Sequence, residues 1–277
     1  MREKGAFSMQ RSCFHTHSTY SDGKASLREM IHAALDKGFT ALGFSDHSYA
    51  PEQIDYCMPE ERVQANYDEI LSLGEEYRGR IALYAGIELD GDSSLPKIDY
   101  DYVLASVHEM HHRGKSYPVD YSADVQLELA DELFDGSMVK YSRAYYESLM
   151  NHVARCKPDI IGHFDLVTKY SLVPEDNREY QMIATEAAIE CLKHCSTFEL
   201  NTGAIARGLR KTPYPADFIL REIKSHGGRV IITSDCHYPE RLTCWFDEAE
   251  EYLSSIGFVK NPSADLNNRV RGIEIWE

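Results

Sequence analysis

The sequence predicts an α/β fold in which parallel strands close into a barrel and deliver polar side chains to one mouth. Seven short apolar segments each end in, or run straight into, residues that bind divalent metals. Between them lie stretches of helical length with short connections, the alternation that gives parallel strands joined by right-handed crossovers. With 277 residues and 43% hydrophobic content, the chain has enough material for one large α/β domain, and we read residues 1–277 as a single unit.

The first strand spans residues 13–17. After the Asp22-Gly23 turn, Ser26-Leu27-Arg28-Glu29 reads as a capping box, and the helix runs on through Ile31, Ala34 and Leu35 until Gly38 stops it. A strand at 41–44 leads into Asp46 and His47. A helix over 60–77 precedes a third strand at 83–88, and a fourth covers 102–108. Helices over 141–155, 176–194 and 215–226 precede strands at 160–163, 198–201 and 230–237. The rhythm breaks only at 109–140, where His111, His112, Tyr117, Pro118, Asp120 and Tyr121 precede an acidic stretch. Insertions at a barrel mouth commonly cover or shape the site, so this segment is a candidate substrate lid.

The balance of 29 basic against 45 acidic residues gives a formal charge of −16, which repels nucleic acid and anionic membrane. A small anionic substrate would need metals or placed cations. The seven cysteines are odd in number and form no Cys-x-x-Cys pair, and neither a signal peptide nor a membrane-spanning apolar run is visible. These features lead us to expect a cytoplasmic protein with reduced thiols. Cys191 and Cys195, one helical turn apart, read as small apolar packing. Cys236 should alternate away from its neighbours Asp235 and His237.

His15 and His17 are two residues apart, so on a strand both imidazoles face one side and can chelate one cation. Alone, His-x-His is equally a pair of solvated histidines. The weight comes from the company: Asp22 in the next loop, then His47, Glu88, His108, His163 and the Asp235-x-His237 pair at successive strand ends. So many nitrogen and carboxylate ligands exceed one coordination sphere and call for two or three divalent ions, with Glu88 able to bridge two. Without thiolates the set suits Zn, Mn or Fe. Asp22 is also readable as a simple Asp-Gly turn residue. His32 and His152 lie within expected helices, and His194 and His226 lie near helix ends, where stabilisation at the C-terminal dipole accounts for them.

His15-Thr-His17, Ser45-Asp46-His47, Gly86-Ile-Glu88, Ser106-Val-His108, Gly162-His163 and Ser234-Asp235-Cys-His237 resemble the successive motifs of the PHP (polymerase and histidinol phosphatase) superfamily. The segment Ile160-Ile-Gly-His163-Phe-Asp165-Leu, with Glu199-Leu-Asn-Thr202 and the long stretch after His108, resembles its histidinol-phosphate phosphatase branch. The resemblance implies a distorted seven-stranded (β/α) barrel with a trinuclear site at its C-terminal mouth. It assigns His15, His17, Glu88 and Asp235 to one metal, Glu88, His108 and His163 to a second, and Asp22, His47 and His237 to a third. Glu88, Asp235 and His237 would also carry catalysis. Arg207 falls near a phosphate-binding arginine of such enzymes, with Arg210 as a competitor for that role, and Lys169 falls where relatives place a basic residue.

The reaction so implied is metal-dependent hydrolysis of a small phosphate monoester, L-histidinol phosphate, to the free alcohol and inorganic phosphate. Asp120, Tyr117 and Tyr121 in the lid segment are the expected contacts for the imidazole and ammonium ends, and His111 and His112 are further candidates. Asp46 and Asp165, each beside a ligand histidine, could orient those rings. Other readings keep the barrel with a sugar phosphate, nucleotide or phosphotyrosine as substrate. A metal-dependent amidohydrolase also begins with His-x-His, but 45–47 and 235–237 fit the PHP pattern better. A non-catalytic module would have lost ligands, and none of the proposed positions carries an apolar or amide residue. Oligomeric state is not readable from the sequence.

Overall fold

The computed structural model describes residues 11–50, 55–95, 97–261 and 263–277. The chain enters at β1 (Arg11–Cys13), crosses through α1 (Leu27–Asp36) to β2 (Phe39–Phe44), and through α2 (Glu60–Glu76) to β3 (Ala82–Asp90). Ser26 caps α1 in the expected box with Glu29, and Gly38 at φ 77° turns the chain into β2. β4 (Tyr102–Ser106) follows β3 in the sheet.

The 109–140 segment folds as a hairpin, β5 (Glu109–His112) with β6 (Lys115–Pro118), and then α3 (Ala123–Phe134), capped by Ser122. α4 (Met138–Cys156) leads to β7 (Ile160–Ile161), and α5 (Arg178–Leu192) to β8 (Thr197–Asn201). A single turn, α6 (Gly203–Ala206), and α7 (Asp217–Ser225) precede β9 (Arg229–Thr233). The chain ends with α8 (Phe246–Ile256), β10 (Lys260–Asn261) and β11 (Ile275–Trp276).

The main sheet has the order β1-β2-β3-β4-β7-β8-β9-β11-β10. The strands from β1 to β9 in this order pair in parallel, while β11 and β10 are antiparallel additions. Among the described residues the sheet therefore has nine strands, seven in the parallel run and two antiparallel additions that the sequence reading did not include. It is curled so that its two ends meet: His17 N–H donates to Cys236 O at 2.9 Å and Cys236 N–H to His15 O at 3.1 Å, just beyond β1 and β9. Lower down, β11 occupies the edge of β9 (Ile275 opposite Ile231), which places the join at the C-terminal ends of the strands.

Two apolar layers hold this arrangement. The larger lies between sheet and helices, with Leu42, Phe44, Ile87, Phe198 and Ile232 packed against Met30, Ile70, Tyr145, Ile183 and Leu220. The smaller fills the inside of the curl with Phe14, Tyr102, Leu104, Ile160 and Ile231, joined by Leu266, Val270, Ile273 and Ile275 from the C-terminal segment. Polar contacts hold that segment at the strands' starting ends: Arg229 donates to Leu266 O, Asn267 to Asp159, and Arg269 to Tyr100 O. With this end filled, the strands' other ends are left to build a site.

Candidate metal centre

Most ligand candidates sit where a strand runs out. Past β1, His15 and His17 point the same way and their ring centroids lie 5.1 Å apart, while the intervening Thr16 turns back to Gly43 O. Gly23 lets the following loop fold onto the strand, because any Cβ there would lie 2.6 Å from the carbonyl carbon of His17, and this loop brings Asp22 to the cluster. His47 follows β2, Glu88 lies within β3, and His108 follows β4. His163 follows β7. Asp235 and His237 follow β9, with Asp235 at φ 46°, a left-handed conformation that aspartate tolerates better than most residues.

Glu88 stands at the centre, only 1% exposed. Its Oε2 lies 3.0 Å from His47 Nδ1, 3.2 Å from His15 Nε2 and 3.5 Å from His17 Nε2. Its Oε1 lies 3.1 Å from His163 Nε2 and 3.8 Å from His108 Nε2. Asp235 Oδ1 is 3.2 Å from His17 Nε2 and 3.7 Å from His15 Nε2, and Asp22 Oδ2 is 3.1 Å from His237 Nε2. The donor atoms fall into overlapping groups within 4.8 Å: His17, Asp22, His47 and His237; His15, His163 and Asp235; His15, His17 and Glu88; His47, Glu88 and His108.

These residues fit a metal cluster. His15 Nε2, both nitrogens of His17, His47 Nδ1, Asp22 Oδ1 and Glu88 Oε2 are buried and make no hydrogen bond among the described residues, although ionisable neighbours surround them. Buried polar atoms are almost always satisfied, so a set of unsatisfied donor atoms directed at shared space marks a cation site. Electrostatics agrees. Burial by itself would raise the Glu88 carboxyl, but His47 and His15 hold it well below the usual range. Asp235 is likewise kept low against burial by Arg207 and His15. Burial is also the largest influence on His108, pressing it down, yet Asp90 lifts it to about 10.

The outer partners were mostly missed from the sequence. Glu199, fully buried, meets His15 Nδ1 at 2.8 Å, accepts from Asn201 and Thr233, and also accepts from the backbone N–H of His163. Asp90 Oδ2 lies 2.5 Å from His108 Nδ1. Both contacts fix the ring that faces the cluster. Strand alternation could have found Asp90, which shares a face with Glu88. Asp46 orients no histidine ring: it accepts from Ser18, Ser21 and Asn66 and so ties down the loop that carries Asp22. Asp165 accepts from Ala216 N–H at the start of α7, and burial pushes its carboxyl up to about 6.

The cluster opens on a cavity of about 440 Å³ lined in part by Tyr56, Glu109, Asp120, Tyr121, Lys169 and Arg207. Arg207 Nη2 donates to Asp235 Oδ2 at 2.9 Å, while its buried Nε makes no hydrogen bond among the described residues. Arg210 lies elsewhere, donating to Thr168 and Glu175 beneath the loop. Lys169 Nζ bonds Asp120 Oδ2 at 2.7 Å. Tyr117 does not line the cavity but packs against the larger core. His111 pairs with Asp92 and the His112 ring rests 4.6 Å from that of Phe134, so neither faces the cavity.

Comparison with known proteins places this geometry. The sequence matches the PHP domain over residues 14–203. It is 25% identical to the Schizosaccharomyces pombe protein named "Probable histidinol-phosphatase", over 88% of this chain and 86% of that one. It is 26% identical to the Bacillus subtilis histidinol-phosphatase, over 83% of this chain and 94% of that one. The crystal structure of histidinol phosphate phosphatase from Lactococcus lactis, complexed with Zn, L-histidinol and phosphate, superposes with a TM-score of 0.70 at 19% identity, covering 96% of this chain and 98% of that one. Because the domain match takes in the strand ends from His15 to Asn201, the chain belongs to the PHP domain family.

Proposed function

We propose that this protein is a metal-dependent phosphomonoesterase that hydrolyses L-histidinol phosphate to L-histidinol and inorganic phosphate. One observation carries the chemistry: a buried set of imidazoles and carboxylates, unsatisfied among the described residues, opens on a cavity that Arg207 also lines. The substrate reading draws on curated histidinol-phosphatases that align along nearly their whole length.

His15, His17, Glu88 and Asp235, with His108 and His163 on one side and Asp22, His47 and His237 on the other, would hold two or three divalent ions. Zn, Mn or Fe held there would supply charge for the phosphoryl oxygens and Lewis acidity toward the attacking water. The chain's own contribution is positioning. Asp235 holds the Arg207 guanidinium at the cavity wall, where its fixed charge would meet a phosphate oxygen. Glu199 and Asp90 fix His15 and His108 so that their Nε2 atoms face the cluster. Lys169, steadied by Asp120, adds a second positive group. Residues 109–140 act less as a flap than as a wall: the hairpin packs against α4, and only Glu109, Pro118, Asp120 and Tyr121 of this segment reach the cavity.

The test is phosphate release by purified protein loaded with Mn, Zn or Fe, comparing L-histidinol phosphate with sugar phosphates, nucleotides and phosphotyrosine. We expect kcat/KM for histidinol phosphate to exceed the others by about a hundredfold and to fall in the ordinary enzyme range. A flat, slow profile would reject the substrate.

A further inference from the structure

Histidinol phosphate carries an ammonium group two carbons from its ester oxygen, and a cavity that selects it needs an anion not already committed to the protein. Asp120 was the sequence's candidate, but its carboxylate is bonded to Lys169 Nζ at 2.7 Å. The other carboxylates on this side are engaged as well: Asp90 with His108, and Asp92 with His111. Glu109 is different. It lines the cavity, directly after the ligand candidate His108, and its side chain joins no ion pair or hydrogen bond among the described residues.

We infer that Glu109 is the specificity-determining residue that pairs with the substrate's amino group, making this a phosphatase for phosphate esters of amino alcohols. The inference rests on the phosphomonoesterase reading above and adds the basis of selection. Position supports it. Glu109 opens β5 and lies opposite Pro118 in the hairpin, so the rigid two-stranded unit, packed on α4, fixes its backbone at the cavity wall. The Tyr56 ring, edge-on to His108 at 5.8 Å and to His47 at 4.9 Å, forms an adjoining aromatic surface. A cation docked here would face Glu109 with Asp90, Asp92 and Asp120 close enough to add to the negative field. Lys24 and Arg241, which line the cavity and join no ion pair among the described residues, leave anion binding provided for elsewhere on the wall. Such an arrangement suits a molecule bearing both signs of charge and disfavours sugar phosphates, which offer no cation to Glu109.

The experiment pairs two substrates with three proteins. L-histidinol phosphate and 3-(imidazol-4-yl)propyl phosphate, the same ester without its amine, are compared as a kcat/KM ratio in the metal-loaded native protein, Glu109→Gln and Asp120→Asn. The native protein should favour the aminated ester. Glu109→Gln should shrink that ratio by about 10- to 100-fold, and Glu109→Asp, which keeps the charge on a shorter arm, should retain part of it. A ratio unmoved by Glu109→Gln, or one that collapses in Asp120→Asn alone, overturns the inference. Failure of the parent reading shows separately, as no turnover of histidinol phosphate by the native protein.

Discussion

Glu88 shares its two oxygens unequally, Oε2 facing three imidazoles and Oε1 two, and no other carboxylate in the cluster meets so many. Glu88→Gln keeps the shape but replaces one acceptor oxygen with an N–H₂ that repels cations. Activity should fall by more than about 100-fold, the upper range for loss of a mere outer partner, with circular dichroism unchanged. Near-normal turnover at full metal content would remove Glu88 from its bridging role. Glu199→Gln tests the outer layer, since it weakens the group that orients His15. Metal affinity or kcat should drop by about 10- to 100-fold, and titration with Zn or Mn followed by activity would measure it.

At the scale of elements, the two arginines after β8 separate function from structure. Arg207→Ala should lower kcat/KM by about 10²-fold with little change in melting temperature, as expected for loss of a donor to phosphate. Arg210→Ala should instead lower the melting temperature, because its guanidinium joins the loop after β8 to Thr168 and Glu175; the reverse pattern would exchange their roles. Inside the curl, Tyr102 lies across Gly86 and reaches Phe14 O at 2.9 Å, and a Cβ on Gly86 would sit 2.1 Å from Tyr102 Cζ. Gly86→Ala should destabilise by about 3 kcal/mol, with Tyr102→Leu restoring much of it in the double variant. Helix and strand alternation was legible in the sequence because caps such as Ser26 and stops such as Gly38 are local signals. β10, β11 and the C-terminal segment were not, since their pairing and burial depend on a distant edge of β9 that periodicity cannot reveal. The candidate ligands stand out at successive strand ends, whereas that Glu109 lines the cavity and Tyr117 does not depends on which face of a hairpin meets it.

Across the whole molecule, the cluster couples metal binding, protonation and stability. Ions that bind only the folded chain add about 2.7 kcal/mol at a hundred times their dissociation constant. For a chain of this size that is a rise of about 5–10 °C in melting temperature over chelated protein. The sign of its pH dependence follows from the histidines. His15 and His108 are both raised in the metal-free fold, the latter to about 10, with burial opposing and Glu199 or Asp90 prevailing. Groups raised in this way stabilise the metal-free fold fully below about pH 6.5. That contribution is lost as pH rises through their folded values. The same protons must leave before imidazole can bind a cation, so loading strengthens over the same interval. The depressed carboxylates Glu88 and Asp235 stay ionised throughout and contribute no slope there. The melting-temperature gap between loaded and chelated protein should therefore widen steadily from pH 6 to 9. Paired thermal scans in matched buffers would read it, and a gap that stays constant or narrows would mean that the buried histidines are not the metal's ligands.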